Sequence, residues 1–134
     1  MVSSEISGEI EEYLGQVPSF IEALSEPAAD HSWAIMRDLE LAETELPNRE
    51  KALVGLGAAA AIGCPYCIHF HKAESRLEGV EEEGLEEAVN VAAGVGYFST
   101  VLHGAEVEMD DFERETAEIV DHIENQQAAA AGDD

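Results

Sequence analysis

The segment Gly63-Cys64-Pro65-Tyr66-Cys67 constrains the architecture of this chain more than any other. Gly63 ends a run of small apolar residues. Pro65 cannot continue a helix, but it fits the first turn of a new one, where its missing N–H orphans nothing. The segment therefore marks a stop and a restart between two helices. It also holds both cysteines of the chain. Cysteines that staple a fold usually lie far apart, because closing a longer loop removes more entropy from the unfolded state. A C-x-x-C at the start of a helix instead points to dithiol–disulfide chemistry or to metal binding.

The rest of the chain reads as all-α. Ala, Leu and Glu are frequent, and strand-like alternation is missing. Helices are expected over 6–14, closed by Gly15, and over a short stretch where Ser19 and Glu22 have capping-box spacing. Pro27 opens a segment to about residue 43 with Trp33, Ala34, Met36, Leu39 and Leu41 on one face. Further helices are expected over about 49–62, 65–77 with a stop at Gly79, 82–102 and 110–125. The run from Leu53 to Ile62 is apolar nearly all round, which predicts burial on most sides. Its glycines and alanines allow close backbone approach. The expectation is a compact bundle of about six to seven helices in one domain spanning 1–134, with a core of 13–125 and an Ala-rich acidic tail, 126–134, that frays.

Charge limits the partners. Thirty Asp and Glu stand against six Lys and Arg, for a net charge of −24. A domain so charged repels itself in dilute buffer. Near 1 M salt the Debye length falls to about 3 Å, so the composition suits a salt-rich, halophile-type cytosol. Nucleic acid is a poor partner, since phosphate binding needs cations that are scarce here. The N-terminus carries no basic-then-apolar leader, and the longest apolar run is about half a membrane span. A soluble, cytoplasmic protein with no membrane partner is expected.

Helical geometry sorts the residues around the cysteines. At about 100° per residue, with Cys64 at zero, Cys67 falls near −60° and His71 near −20°. His69 lands at about 140° and Tyr66 at about 200°, away from the thiols. His71 is thus the histidine able to address the sulfurs, and Glu74 and Ser75 stay near the same stripe. Thiolate is the reactive form, and a helix N-terminus stabilises it. An imidazole can take the thiol proton and return it to a leaving group. A second cysteine can condense with a sulfenic acid and so prevent over-oxidation.

Zinc is the rival reading. Cys64, Cys67 and His71 supply three ligands where a structural site takes four, and no second C-x-x-C or paired-histidine knuckle exists. His31, His103 or His122 would have to complete it. No metal and no cofactor are expected.

The stretch from Leu46-Pro47-Asn48 through the small apolar helix to Gly63-Cys64-Pro65-Tyr66-Cys67-Ile68-His69-Phe70-His71 resembles the carboxymuconolactone decarboxylase superfamily, in its alkylhydroperoxidase D-like branch. Gly15-Gln16-Val17-Pro18-Ser19-Phe20 and Pro27 are similar too, so the resemblance covers about 13–105. It implies an all-helical homo-oligomer, a trimer or hexamer, that reduces an organic hydroperoxide or hydrogen peroxide with electrons from a thiol or dithiol donor. Carried onto this chain, it makes Cys67 the peroxidatic residue, Cys64 the proton donor and resolving partner, and His71 the relay base. The family's glutamate twelve residues before the first cysteine is Ala52 here, and Tyr66 stands where some members have histidine. Glu74 is a substitute carboxylate on the His71 stripe, or else a solvated surface glutamate. Decarboxylation does not fit, because those enzymes lack the cysteine pair.

Two other functions remain open on the residues alone. One is a general dithiol–disulfide oxidoreductase, which the missing glutamate favours. The other is a non-enzymatic helical oligomer that binds zinc. Outside the motif, Trp33, Tyr97 and Phe98 are expected in the core or at a subunit interface. His69 is expected at the surface or an interface, and Glu81-Glu82-Glu83 at a solvated helix start.

Overall fold

The computed structural model describes residues 2–132. Among them are seven α-helices and one π-helical segment: α1 (Ser4–Leu14), α2 (Ser19–Glu22), α3 (Glu26–Ile35), the π segment Met36–Leu41, α4 (Asn48–Ile62), α5 (Pro65–Leu77), α6 (Glu82–Gly104) and α7 (Met109–Gly132). No strand occurs among the described residues. Contacts divide the chain within α6: one unit runs to Asn90 and a second starts at Val91.

The first unit has two apolar centres. Ile10, Ile21 and Trp33 form one, with Val17, Leu24 and Met36 packed around them. Trp33 is buried as expected and meets Tyr13 edge-on, ring centroids 5.8 Å apart. Ser3 caps α1 by accepting the Ile6 N–H, and Gly15 closes it at φ 79°, a left-handed conformation that costs glycine little. Ser19 is not a cap: α2 begins at that residue behind Pro18, and its single turn has no side-chain cap. Leu56, Val80 and Leu85 form the second centre, joined by Leu53, Ile68 and Val89. Fully burying side chains of this size contributes about 1.5–3 kcal/mol each.

The helix after Pro27 does not stay α to its end. From Met36 it widens into the π segment, whose last turn is closed by the Ala42 N–H donating to the Arg37 carbonyl at 3.1 Å. Such segments re-aim the side chains that follow. This one is held from two sides. Lys51 on α4 donates to the carbonyls of Leu39 and Ala42 at 2.6 and 2.7 Å, and Asn48 donates to that of Leu41 at 3.0 Å. A cation here answers the orphaned carbonyls of a helix end. On the other side Arg37 reaches Glu9 of α1 at 2.7 Å.

Helix α4 is less buried than its composition suggests. Ala52, Leu56 and Ala59 form one buried stripe, while Val54 is 65% and Ile62 76% exposed. The strongest packing of α4 is against α5, and its neighbours leave the side of Val54 and Ile62 uncovered.

In the second unit Val95, Tyr97, Phe98 and Val101 of α6 and Phe112, Ile119 and Ile123 of α7 are all exposed. Tyr97 and Phe98 therefore do not enter a core; they pair edge-to-face with centroids 5.2 Å apart. Helix α7 stays helical through Gly132, beyond the expected end at residue 125, because Ala128 to Ala131 are the best helix formers available. The final two residues of the expected tail lie outside the described residues. No helix is long and apolar enough to cross a membrane among the described residues.

Candidate active site

Helices α4 and α5 are joined by the turn that the sequence marks. Gly63 adopts φ 69° and ends α4, with its N–H turned back to the carbonyls of Ala59 and Ala60. Cys64 then takes an extended conformation as the N-cap of α5, and Pro65 fills the first helical position. The Cys67 N–H donates to Cys64 Sγ at 3.2 Å, so this sulfur occupies the place a capping oxygen normally holds. Cys64 and Cys67 are disulfide-paired, with Cα atoms 5.3 Å apart. Both are partly exposed.

His71 follows one turn after Cys67 on α5, while Cys64, expected on the same stripe, precedes the helix as its extended N-cap. Its imidazole lies against α4 at Gly55. A Cβ at that position would stand 2.5 Å from both Cε1 and Nδ1 of the ring, closer than real carbon atoms come. The bare glycine is the seat of the histidine. His71 Nδ1 is also 3.1 Å from Glu74 Oε2. His69 is exposed, as its angle on the helix requires, and Tyr66 points fully outward.

Ala52, at the family's glutamate position, is completely buried on the α4 stripe. It carries no carboxylate to the site. Glu50 is exposed. Among the carboxylates of the described residues, Glu74 is the one within hydrogen-bonding distance of His71.

A cleft of about 470 Å³ opens beside the imidazole. Leu39 and Glu40 of the π segment, Leu46 of the following loop and Val54 of α4 line it, with His71 and Glu74 at one wall. Sequence reasoning missed this cleft. Leu39 reads there as a core residue of an amphipathic helix; the π turn and the Lys51 clamp leave it exposed on the cleft wall.

Among the described residues no group of three or more His, Cys, Asp and Glu side chains is arranged to hold a metal ion. His31 and His122 are exposed, and so is His103, whose Nδ1 donates to the Ser99 carbonyl of its own helix at 2.7 Å.

Three similarities bear on this arrangement. The chain is 33% identical over 64 residues to "Uncharacterized protein 4 in cox locus" of Paracoccus denitrificans, a match that takes in 48% of this chain and spans 58% of that relative. Its fold aligns with the crystal structure of the alkylhydroperoxidase AhpD core from Rhodospirillum rubrum at a TM-score of 0.70, 17% identity, and 80% and 82% coverage of the two chains. A structural-genomics protein from Methanobacterium thermoautotrophicum aligns at a TM-score of 0.55 with 30% identity, covering 66% of this chain and 97% of the other. The model of the carboxymuconolactone decarboxylase family matches residues 27–107, which hold the cysteine pair, His71 and the cleft. With more than half of its length matched, and an all-α fold that places a disulfide-forming pair at the head of α5, this chain belongs to the carboxymuconolactone decarboxylase family.

Proposed function

We propose that this protein is a thiol-dependent peroxide reductase that cycles Cys64 and Cys67 between dithiol and disulfide, with His71 moving the proton. The observation that carries this reading is the disulfide-paired C-x-x-C at the start of α5 with the imidazole one turn away beside a cleft.

The cycle has three balanced steps. His71 takes the proton of the Cys67 thiol. The thiolate attacks the outer oxygen of a hydroperoxide, the O–O bond breaks, and the departing alkoxide takes up that proton, giving an alcohol and Cys67 sulfenic acid. Cys64 thiol then condenses with the sulfenic acid, forming the disulfide and releasing water. Two donor thiols, or one dithiol, reduce the disulfide and leave oxidised as a disulfide themselves. In that last step a donor attacking Cys67 expels Cys64 as thiolate. The cap position suits this, because the Cys67 N–H and the α5 N-terminus stabilise negative charge on Cys64.

Leu39, Leu46 and Val54 along the cleft favour an organic hydroperoxide over hydrogen peroxide, since an alkyl group gains by leaving water there. The test follows consumption of an organic hydroperoxide in high salt with a dithiol donor. Wild type turns over, and Cys67→Ser does not. Equal rates in the two proteins would remove the proposal.

A second reading rests on buried Ala52. Without a relay carboxylate on α4, the helix-capped dithiol can act chiefly in exchange with disulfide substrates. Reduction of a protein disulfide in the absence of hydroperoxide turnover would favour it.

A further inference from the structure

We propose that Glu74 is the positioning residue of this site, fixing the His71 ring and its tautomer so that Nε2 is the nitrogen free to exchange protons with the sulfurs. The inference rests on the reading of His71 as the proton carrier.

Geometry supplies the argument. A carboxylate accepts hydrogen bonds and donates none, so the contact of 3.1 Å between Glu74 Oε2 and His71 Nδ1 requires the hydrogen to sit on Nδ1. A neutral imidazole then presents Nε2 as its basic nitrogen. The two side chains are only 24% and 18% exposed, which limits the competition of water for either atom. They stand at i and i+3 on α5, where helix side chains meet without help from the rest of the fold. The ring also lies against α4 at Gly55, where a Cβ would meet Cε1 and Nδ1, so both a backbone and a carboxylate bound the Nδ1 edge of the imidazole.

The other charged groups facing this cleft do not take the same part. Lys51 of α4 is committed to the carbonyls of Leu39 and Ala42. Glu40 of the π segment and Glu45 of the following loop line the cleft from exposed positions, with no hydrogen bond to His71. On α4 the residue one turn before Gly55 is Ala52, with nothing to offer the ring. The orienting carboxylate has thus moved from α4 to the histidine's own helix.

The test reads the tautomer directly. Side-chain ¹⁵N spectra of the disulfide form are recorded at a pH where the ring spectra show the neutral imidazole, and His71 is assigned by its loss in His71→Gln. Wild type is expected in the Nδ1–H form. Glu74→Met keeps length and helix propensity but removes the acceptor, and is expected in the Nε2–H form usual for imidazole in water. Glu74→Gln keeps an acceptor oxygen and is expected to hold the wild-type tautomer. In parallel, the rate at which hydroperoxide oxidises the dithiol is expected to fall about 10- to 100-fold in Glu74→Met and to recover largely in Glu74→Gln. An Nε2–H ring in the wild type overturns the proposal, as does a ring unchanged by Glu74→Met. If Glu74→Met does not fold, the wild-type spectrum still decides. Wild-type protein that shows the Nδ1–H ring but reduces no peroxide refutes the peroxidase reading and leaves the role of Glu74 standing.

Discussion

Gly55 and His71 are in contact so close that no other residue fits the first position: an added Cβ would meet Cε1 and Nδ1 of the ring at 2.5 Å. Gly55→Ala therefore displaces the imidazole. Overpacking costs about 1–3 kcal/mol, and alanine returns up to about 1 kcal/mol of helix propensity. Net stability falls by about 2 kcal/mol or less, while hydroperoxide turnover falls about 100-fold, because a shift near 1 Å in a reacting group costs that much. Gly8→Ala is the control, since nothing lies within 4 Å of its Cβ and it gains stability. Denaturant unfolding and peroxidase assays on both variants check the pair; full activity in Gly55→Ala would contradict the seat described here.

Lys51 joins α4 to the end of the π segment and so shapes the cleft wall. Lys51→Met removes two charged hydrogen bonds and leaves two carbonyls unpaired. A loss of about 1.5–3 kcal/mol is expected in urea unfolding. The wall carrying Leu39 and Leu46 also loosens, so KM for a bulky hydroperoxide rises more than KM for hydrogen peroxide. Equal changes for the two oxidants would separate the cleft from the substrate.

The exposed apolar residues of α6 and α7 call for a partner surface. Val91, Val95, Phe98 and Val101 follow helical spacing on α6, and Phe112, Ile119 and Ile123 do so on α7. Further copies of the chain are the expected cover, and the family resemblance implies a trimer or hexamer. Light scattering in molar salt should read a multiple of the monomer mass, and Ile119→Glu should lower it. A wild-type monomer would show these faces to be uncovered.

The charge of −24 predicts a stability that depends on salt. Screening shortens the reach of self-repulsion from about 10 Å at 0.1 M to about 3 Å at 1 M. The melting temperature should rise by about 10 °C or more between these concentrations, equivalent to a few kcal/mol for a domain of this size. A flat profile would remove the salt-rich setting from consideration.

Acid should weaken two surface pairs. The Arg76 guanidinium, bonded to Glu82 at 2.6 Å, holds that carboxyl below its ordinary value of 4.5, and Arg37 lowers Asp38 below 3.8 in the same way. A carboxyl lowered on folding contributes stability above its unfolded value and loses it as pH falls through the folded one. The stability difference between wild type and Arg76→Met should hold constant from pH 7 to about 5, then shrink below 4.5. A difference unchanged down to pH 2 would mean that the pair contributes nothing.

Much of the fold was legible because its signals are local. Gly15, Gly63 and Gly79 take positive φ where the sequence stops its helices, and Pro65 restarts one where proline loses nothing. The placing of Cys67 and His71 one turn apart on α5 was legible from helical periodicity, whereas Cys64 is the extended N-cap of that helix, where an angle counted at 100° per residue does not hold. Glu74 was visible on the same stripe and within i, i+3 reach of His71, but the partial burial of the pair at 24% and 18% exposure depends on the rest of the fold, which no spacing contains.

Tertiary structure decided the rest. The apolar composition of residues 53–62 says that the helix can be buried, yet only its neighbours determine that Ala52, Leu56 and Ala59 are covered while Val54 and Ile62 are not. The π turn after Ile35, the attachment of Lys51 to two distant carbonyls and the cleft they frame arise from groups brought together across the fold. Local order is set by backbone sterics and the capping of nearby groups, which a linear sequence displays. A cavity and the orientation of a ring are set by which surfaces exclude water from each other, and that is a property of the packed chain.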